Sequence, residues 1–323
     1  MTARGNQDSD VVIVGGGLAG GLIALALARS RPELAVTLIE AGETIGGNHI
    51  WSFFEGDIAR DQRDLVAPLV AHAWDGYDVA FPGHSRTLHQ PYYSTLSERL
   101  DQAVRAAMPA ERILTGRRAL ALSARAAVLE DGTRIEAGGV IDARGAANLS
   151  ALDVGWQKFV GHELVLDAPH GLTRPIVMDA TVDQYDGYRF VYCLPFAPDR
   201  IFVEDTYYST ESALQPVLLA NRIAAYAEAR GWRVRGIARR EQGVLPVVMG
   251  GDFEGFWQSA AQIGKVGARA GLFHPVTGYS LPDAVRTAHL VAGLADLSGP
   301  SLTAALHRHA QARWRERGYY RML

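Results

Sequence analysis

The segment from Asp10 to Glu40, DVVIVGGGLAGGLIALALARSRPELAVTLIE, limits what this chain can fold into more than any other. A buried strand (Val11 to Val14) leads into Gly15-x-Gly17-x-x-Gly20, an apolar helix follows, and a second strand (Ala35 to Ile39) ends on Glu40. The three glycines differ in what they allow. Gly15 permits a tight turn, Gly17 lets the backbone reach a pyrophosphate, and Gly20 lets helix and strand pack closely. The helix start presents unpaired N–H groups and a positive dipole end to the phosphates. Glu40 is placed to accept hydrogen bonds from a ribose diol. Strand, glycine triplet, helix, strand and acid in this order within about 30 residues read as a dinucleotide-binding βαβ unit.

Length and composition bound the rest. At 323 residues the chain is long enough for two domains, and 48% hydrophobic with 21% charged residues is a globular balance. A net charge of −3 provides no electrostatic footprint for nucleic acid. The single Cys193 excludes an internal disulfide and any multi-cysteine metal site, and fits a reducing cytoplasmic setting. No histidine pattern makes a metal site, His307-x-His309 having no third ligand, so no metal is expected. The uncharged run from Val11 to Ala28 raises the question of a membrane span, but its five glycines and phosphate-loop spacing answer it. The expectation is a chain without a spanning segment.

Further along, Ala41 to Trp51 carries a second glycine pair, Gly46-Gly47, and Ser94 to Met108 has helical spacing. Strand candidates follow at 112–115, 120–124 and 127–130, and Gly139 to Gly145 reads as a buried strand ending in Asp142 and Gly145, where an open α/β sheet places ligand contacts. The middle changes character, with alternating aromatic-rich runs at 159–166, 175–182, 188–196 and 200–208, a helix over 212–230 and a strand over 233–247. Glycine-rich sequence returns at 264–278, before helices over 281–294 and 301–317. The nucleotide domain is therefore read as discontinuous, 1–155 with 248–323 and an excursion over 55–130, with a sheet domain inserted at 156–247.

These pieces resemble the flavoprotein family of bacterial lycopene β-cyclases. The resemblance is carried by VVIVGGGLAGGLIALAL near the start, GGNHIWSFF at 46–54, MDATV at 178–182, FVEDTYYS at 202–209 and GLFHPVTGYSLPDAVRTA at 271–288. It implies an α/β fold: an FAD-binding Rossmann-like domain of the flavin hydroxylase and glutathione reductase type, with an inserted, mainly antiparallel substrate domain. It implies FAD, active in its reduced form with NAD(P)H as reductant, held by Gly15, Gly17, Gly20, Glu40, Gly46, Gly47, Asp142, Gly145, Pro275, Thr277 and Gly278. It also implies lycopene or another acyclic carotenoid as substrate, and a cytoplasmic protein held peripherally at the inner face of the cell membrane. Family members run on past the point where this chain stops at Leu323. Two rivals stay open: a redox flavoprotein of similar architecture, such as a monooxygenase or prenyl reductase, and, suggested by the early C-terminus, a truncated, inactive flavin- or carotenoid-binding protein.

Ring closure of an acyclic carotenoid end needs an acid at C2 of the terminal double bond, attack of C5=C6 on the C1 cation, and loss of the C6 proton. A carboxyl group serves as that acid if an apolar site keeps it protonated. The candidate acids are Glu204, Asp205 and Asp179. Strand alternation puts Phe202, Glu204, Thr206 and Tyr208 on one face and Asp205 on the other, which favours Glu204. Asp205 is open to a structural reading, and Asp179 to a contact with the site or a pair with an Arg. His49 and Trp51 either flank flavin and polyene or pack an interdomain loop. The last helix, with Arg308, Arg313, Trp314, Arg315 and Arg317, fits a membrane surface or a solvated helix.

Overall fold

The computed structural model describes residues 9–146, 148–185, 187–258 and 263–322. In chain order its elements are β1 (Ser9–Val14), α1 (Leu18–Ser30), β2 (Val36–Ile39), β3 (Ile50–Phe54), α2 (Arg63–Val66), β4 (Val70–Trp74), β5 (Tyr77–Phe81), β6 (His84–Leu88), β7 (Tyr92–Leu96) and α3 (Ser97–Ala107). Then come β8 (Ile113–Leu114), β9 (Ala119–Ser123), β10 (Ala126–Leu129), β11 (Arg134–Asp142), β12 (Leu152–Leu166), β13 (Ile176–Asp179), β14 (Arg189–Ala197) and β15 (Arg200–Ser209). The chain continues through α4 (Pro216–Ala229), β16 (Val234–Gly251), α5 (Phe253–Gln258), β17 (Gly264–Lys265), α6 (Leu281–Ala292) and α7 (Gly299–Glu316).

Three sheets organise these elements. The first has the order β8-β2-β1-β11-β10-β9, with β17 on the C-terminal half of β11. Its β8, β2, β1, β11 and β17 run parallel, and β10 and β9 continue antiparallel from β11. Continuous apolar runs in β1 and α1 suit this setting, because a parallel sheet is covered on both faces. Ala19 to Leu27 of α1 are all buried, in one core cluster with residues of α3, α6 and α7. The run from Val11 to Ala28 is thus a strand and a helix, and among the described residues no helix is long and apolar enough to cross a membrane.

The second sheet has the order β16-β12-β15-β14-β13-β5-β6, antiparallel except between β13 and β5. One face packs on α4 through Val160, Leu164, Val191, Val203, Tyr207, Leu219 and Ile223. The other carries Phe190, Tyr192, Leu194 and Phe202, which pack with Tyr92 of β7. A third sheet, β3-β7-β4, closes over that aromatic patch. Two expectations are adjusted. The pair β5–β6, placed within the nucleotide half, hydrogen-bonds instead to β13 of the second sheet, and the helix expected from Ser94 begins at Ser97, because Tyr92 to Leu96 pair with β3.

Candidate active site

The glycine loop between β1 and α1 is shaped by close backbone approach. Gly15 has φ +106°, and a Cβ there would collide with the Ala143 carbonyl; one on Gly20 would collide with the carbonyl of Gly15. A Cβ on Gly17, in contrast, meets nothing within 4 Å. That open space lies at the start of α1, which has neither a capping side chain nor an acidic residue in its first turn. Glu40 closes the loop, one oxygen accepting the Gly16 N–H at 2.6 Å and the other the Gly42 N–H at 2.7 Å. The Gly46 N–H donates to the Gly16 carbonyl at 2.7 Å, so the Gly46-Gly47 turn, with φ +82° and +66°, is tied to the same loop. Beside it Gly145, φ +74°, also faces space free of atoms within 4 Å. The Asp142 carboxylate is engaged by Arg144 at 2.9 Å through each oxygen and by Arg269 at 3.1 Å. Asp142 thus anchors the end of β11 through arginines that no local sequence signal singles out.

The loop from Pro275 to Gly278 meets the second sheet. Val248 N–H donates to the Pro275 carbonyl at 3.3 Å, Tyr208 OH to the Val276 carbonyl at 3.0 Å, and Gly278 N–H to the His274 carbonyl at 2.9 Å. Thr277 Oγ1 accepts the Tyr279 N–H at 3.4 Å. Gly278, φ +70°, lies over Leu245 and Gln157. Gln157 is 7% exposed, and its Oε1 has no hydrogen-bond partner. An orphaned buried acceptor beside this loop, open space at Gly17 and Gly145, and bare helical N–H groups together fit a bound dinucleotide that supplies the missing partners.

The face of the second sheet turned toward these loops carries Glu204. In the strand pairing, Tyr192 of β14, Glu204 of β15, Gly161 of β12 and Glu241 of β16 stand in one row. Glu204 stays partly accessible and has no basic partner among the described hydrogen bonds; Thr206 Oγ1 donates to its Oε1 at 2.6 Å. Burial, with a smaller push from the charges of Glu241 and Asp205, lifts its carboxyl to a pKa of about 8, against the hydrogen bond from Thr206. Nearby, hydroxyls converge: Tyr92 OH lies 2.7 Å from Tyr192 OH and 2.8 Å from Tyr279 OH, and Tyr192 OH donates to Ser52 Oγ at 2.8 Å. Burial raises all three phenols well above their usual range, so they stay neutral.

The other two carboxylates lie on the α4 side. Asp205 is fully buried against Arg189, whose Nε and Nη2 reach its Oδ2 at 2.9 and 2.5 Å. Asp179 receives Tyr226 OH and Arg230 Nη2, each at 2.7 Å, and Thr181 Oγ1 at 2.6 Å. The structure thus brings Glu204 to the loops and sets Asp205 and Asp179 behind the sheet. Sequence reasoning missed Tyr92, Tyr192, Tyr279, Gln157 and Glu241. Period-two alternation could have put Tyr192 with Phe190 and Leu194, but pairing across 192 residues between His49 and Glu241 left no local signal.

The fold and the glycine loop define the class, that of α/β proteins built on a Rossmann-like nucleotide domain, a fold shared with a reductase-like protein and a flavin-dependent brominase. Over 98% of this chain and 87% of the other, the structure superposes at a TM-score of 0.72 and 15% identity on a geranylgeranyl bacteriochlorophyll reductase-like protein of Thermoplasma acidophilum. A flavin-dependent brominase, Bmp2, superposes at 0.59 and 16% identity over 98% of this chain and 87% of its own. Sequence then narrows the class. The chain belongs to the lycopene cyclase family: the profile described as "Lycopene cyclase protein" matches residues 10–323. It is 44% identical over 314 residues to a lycopene beta-cyclase of Pseudescherichia vulneris, covering 97% of this chain and 81% of that protein. It is 46% identical over 298 residues to one of a Paracoccus species, covering 92% and 76%.

Proposed function

We propose that this chain binds FAD and closes the ψ-ends of lycopene to β-rings without net redox change, giving γ-carotene and then β-carotene. The observation that carries this reading is Glu204, a carboxyl with no basic partner among the described residues, held protonated to about pH 8 on an aromatic sheet face beside the dinucleotide loops. Family membership supplies the substrate class.

Gly15, Gly17 and Gly20 hold the pyrophosphate, Glu40 the adenosine ribose, and the Gly46-Gly47, Gly145 and Pro275 to Gly278 turns the remainder of the cofactor, with Asp142 positioning its turn through Arg144 and Arg269. Bound in the reduced form, with NAD(P)H as reductant, FAD would supply an electron-rich surface that favours positive charge in the site. Thr206 occupies Oε1 of Glu204, so the acidic proton sits on Oε2 and is delivered to C2 of the terminal double bond. The cation at C1 is attacked by C5=C6, and loss of the C6 proton completes the ring. Aromatic faces near that charge each contribute about 0.5 to 2 kcal/mol. Asp205 and Asp179 hold sheet to helix and take no part. A C40 hydrocarbon resides in the bilayer, so the protein works as a peripheral membrane protein on the cytoplasmic side. Exposed Val217, Leu218 and Tyr185, with Arg222 stacked on Tyr185, support that contact.

The test is expression in lycopene-accumulating cells with pigment mass analysis. A cyclised product of unchanged mass is expected; added oxygen or hydrogen with stoichiometric NAD(P)H use would establish the redox rival, and bound flavin without product a binding protein. A Cβ at Gly17 meets no atom within 4 Å, so Gly17→Val should fold and lose flavin absorbance.

A further inference from the structure

Delivering a proton to C2 is half of the acid–base work. After C1–C6 bond formation the cation sits at C5, and a β-ring forms only if the C6 proton leaves. Proton loss from C4 gives an ε-ring, loss from the methyl on C5 gives a γ-ring, and capture by water gives an alcohol. Something in the site has to choose among these fates.

We propose that His49, oriented by Glu241, is the base that removes the C6 proton and so sets the ring type; this rests on the reading of Glu204 as the acid. Glu241 stands on the face of Glu204, two strands away across Gly161, which separates the two by roughly 10 Å at Cα. Gly161 leaves room for the ring of Phe202, which a Cβ at that position would strike. That ring covers Gly161, in the row between the two carboxyl groups. Glu241 itself is 6% exposed and saturated by the loop opposite, its Oε2 accepting the Ile50 N–H at 3.2 Å and its Oε1 lying 2.9 Å from His49 Nδ1. A carboxylate only accepts, so Nδ1 carries a proton, and in the neutral ring the lone pair is then on Nε2. This is the arrangement by which a carboxylate fixes tautomer and direction of an imidazole base.

The imidazole is half exposed, at 49% of its side chain, and its ring lies 6.0 Å from that of Trp51. Its loop is held to β16 on one side and to the start of α3 on the other. Asn48 Nδ2 donates to the Arg240 carbonyl at 2.7 Å, Arg239 Nη1 donates to Asn48 Oδ1 at 2.6 Å, and the His49 N–H donates to Ser97 Oγ at 3.2 Å. The base is therefore carried by the glycine-pair loop that touches the nucleotide loop, yet aimed by the substrate sheet.

The step balances. The O–H bond of Glu204 breaks as C2–H forms, the C5=C6 π pair forms C1–C6, and the C6–H pair then restores C5=C6 as Nε2 takes the proton. Proton return from the imidazolium to the Glu204 carboxylate through solvent regenerates both groups, and substrate and product remain isomers.

The experiment is ring-type analysis of the pigment made by purified, FAD-loaded His49→Ala, Glu241→Gln and wild type, with flavin absorbance as the measure of folding. His49→Ala should lower the ratio of β-rings to ε-rings, γ-rings and alcohols at least tenfold, Glu241→Gln should move it the same way by less, and added imidazole should restore β-rings to His49→Ala. If His49→Ala loses all product, recovery with imidazole supports the assignment and lack of recovery overturns it. Exclusive β-ring formation by His49→Ala at near wild-type rate overturns it as well. The acid is scored separately with Glu204→Gln, where failure of cyclisation leaves unreacted lycopene; the two assignments therefore fail by different products.

Discussion

The two faces of the second sheet treat charge in opposite ways. Behind it, against α4, Asp205 and Asp179 are each met by an arginine and further donors, and their burial is made tolerable by pairing. In front, Glu204 is given a threonine and, among the described residues, no cation, and the low-dielectric surroundings keep its proton on instead. Neighbouring positions of β15 thus carry both solutions to the problem of a buried carboxyl. An ion pair stabilises structure and leaves nothing to donate; a carboxyl left unpaired costs stability when it ionises and retains a transferable proton.

This contrast can be broken most directly at Glu204. Glu204→Gln keeps size and the Thr206 contact, so flavin binding should survive while cyclisation falls by about 10² to 10⁴ or more, measured as β-ring formed per bound flavin. Asp205→Asn should do the reverse. It strands the buried Arg189 at a cost of about 3 to 5 kcal/mol, a fall in Tm of roughly 10 °C, while turnover of the folded, flavin-loaded fraction stays within a fewfold of wild type. Equal loss of turnover in the two variants would erase the distinction between the faces.

The pH dependence sharpens the comparison further. Activity should fall as pH rises through about 8, as Glu204 loses its proton. Stability should change with it: a carboxyl whose folded pKa is raised contributes fully below its unfolded value of about 4.3 and loses that contribution as pH rises to the folded value. Thermal melts should therefore show Glu204→Gln gaining on the wild type from about pH 4 to about pH 8 and holding its lead above that. The smallest effect is expected at Tyr192→Phe, which breaks the hydroxyl chain to Ser52 and Tyr92 at about 0.5 to 1.5 kcal/mol in urea unfolding, with turnover reduced only a fewfold. Loss of turnover as deep as in Glu204→Gln would make the hydroxyl chain a proton route.

What was legible in the sequence was local. Gly15 to Gly20 and Glu40 could be read because turn, helix start and second strand are dictated by neighbours within one βαβ unit. The opposed directions of Glu204 and Asp205 followed from the two-residue period of a strand. The hydroxyl cluster of Tyr92, Tyr192 and Tyr279 spans 187 residues and exists only because the third sheet closes on the second. Likewise nothing in His84 to Leu88, largely exposed, announces that β6 ends the second sheet rather than the first.

Glu204 and Asp205 are consecutive, and their opposite placement makes β15 sensitive to slippage during folding. A shift of one residue against β12 and β14 would turn Asp205 into the reaction chamber and press Glu204 toward Arg189, exchanging the two roles while leaving backbone hydrogen bonding nearly unchanged. The Arg189–Asp205 bond opposes that slip, because its fork closes only when the aspartate faces α4. The ion pair is then a proofreading element for strand alignment.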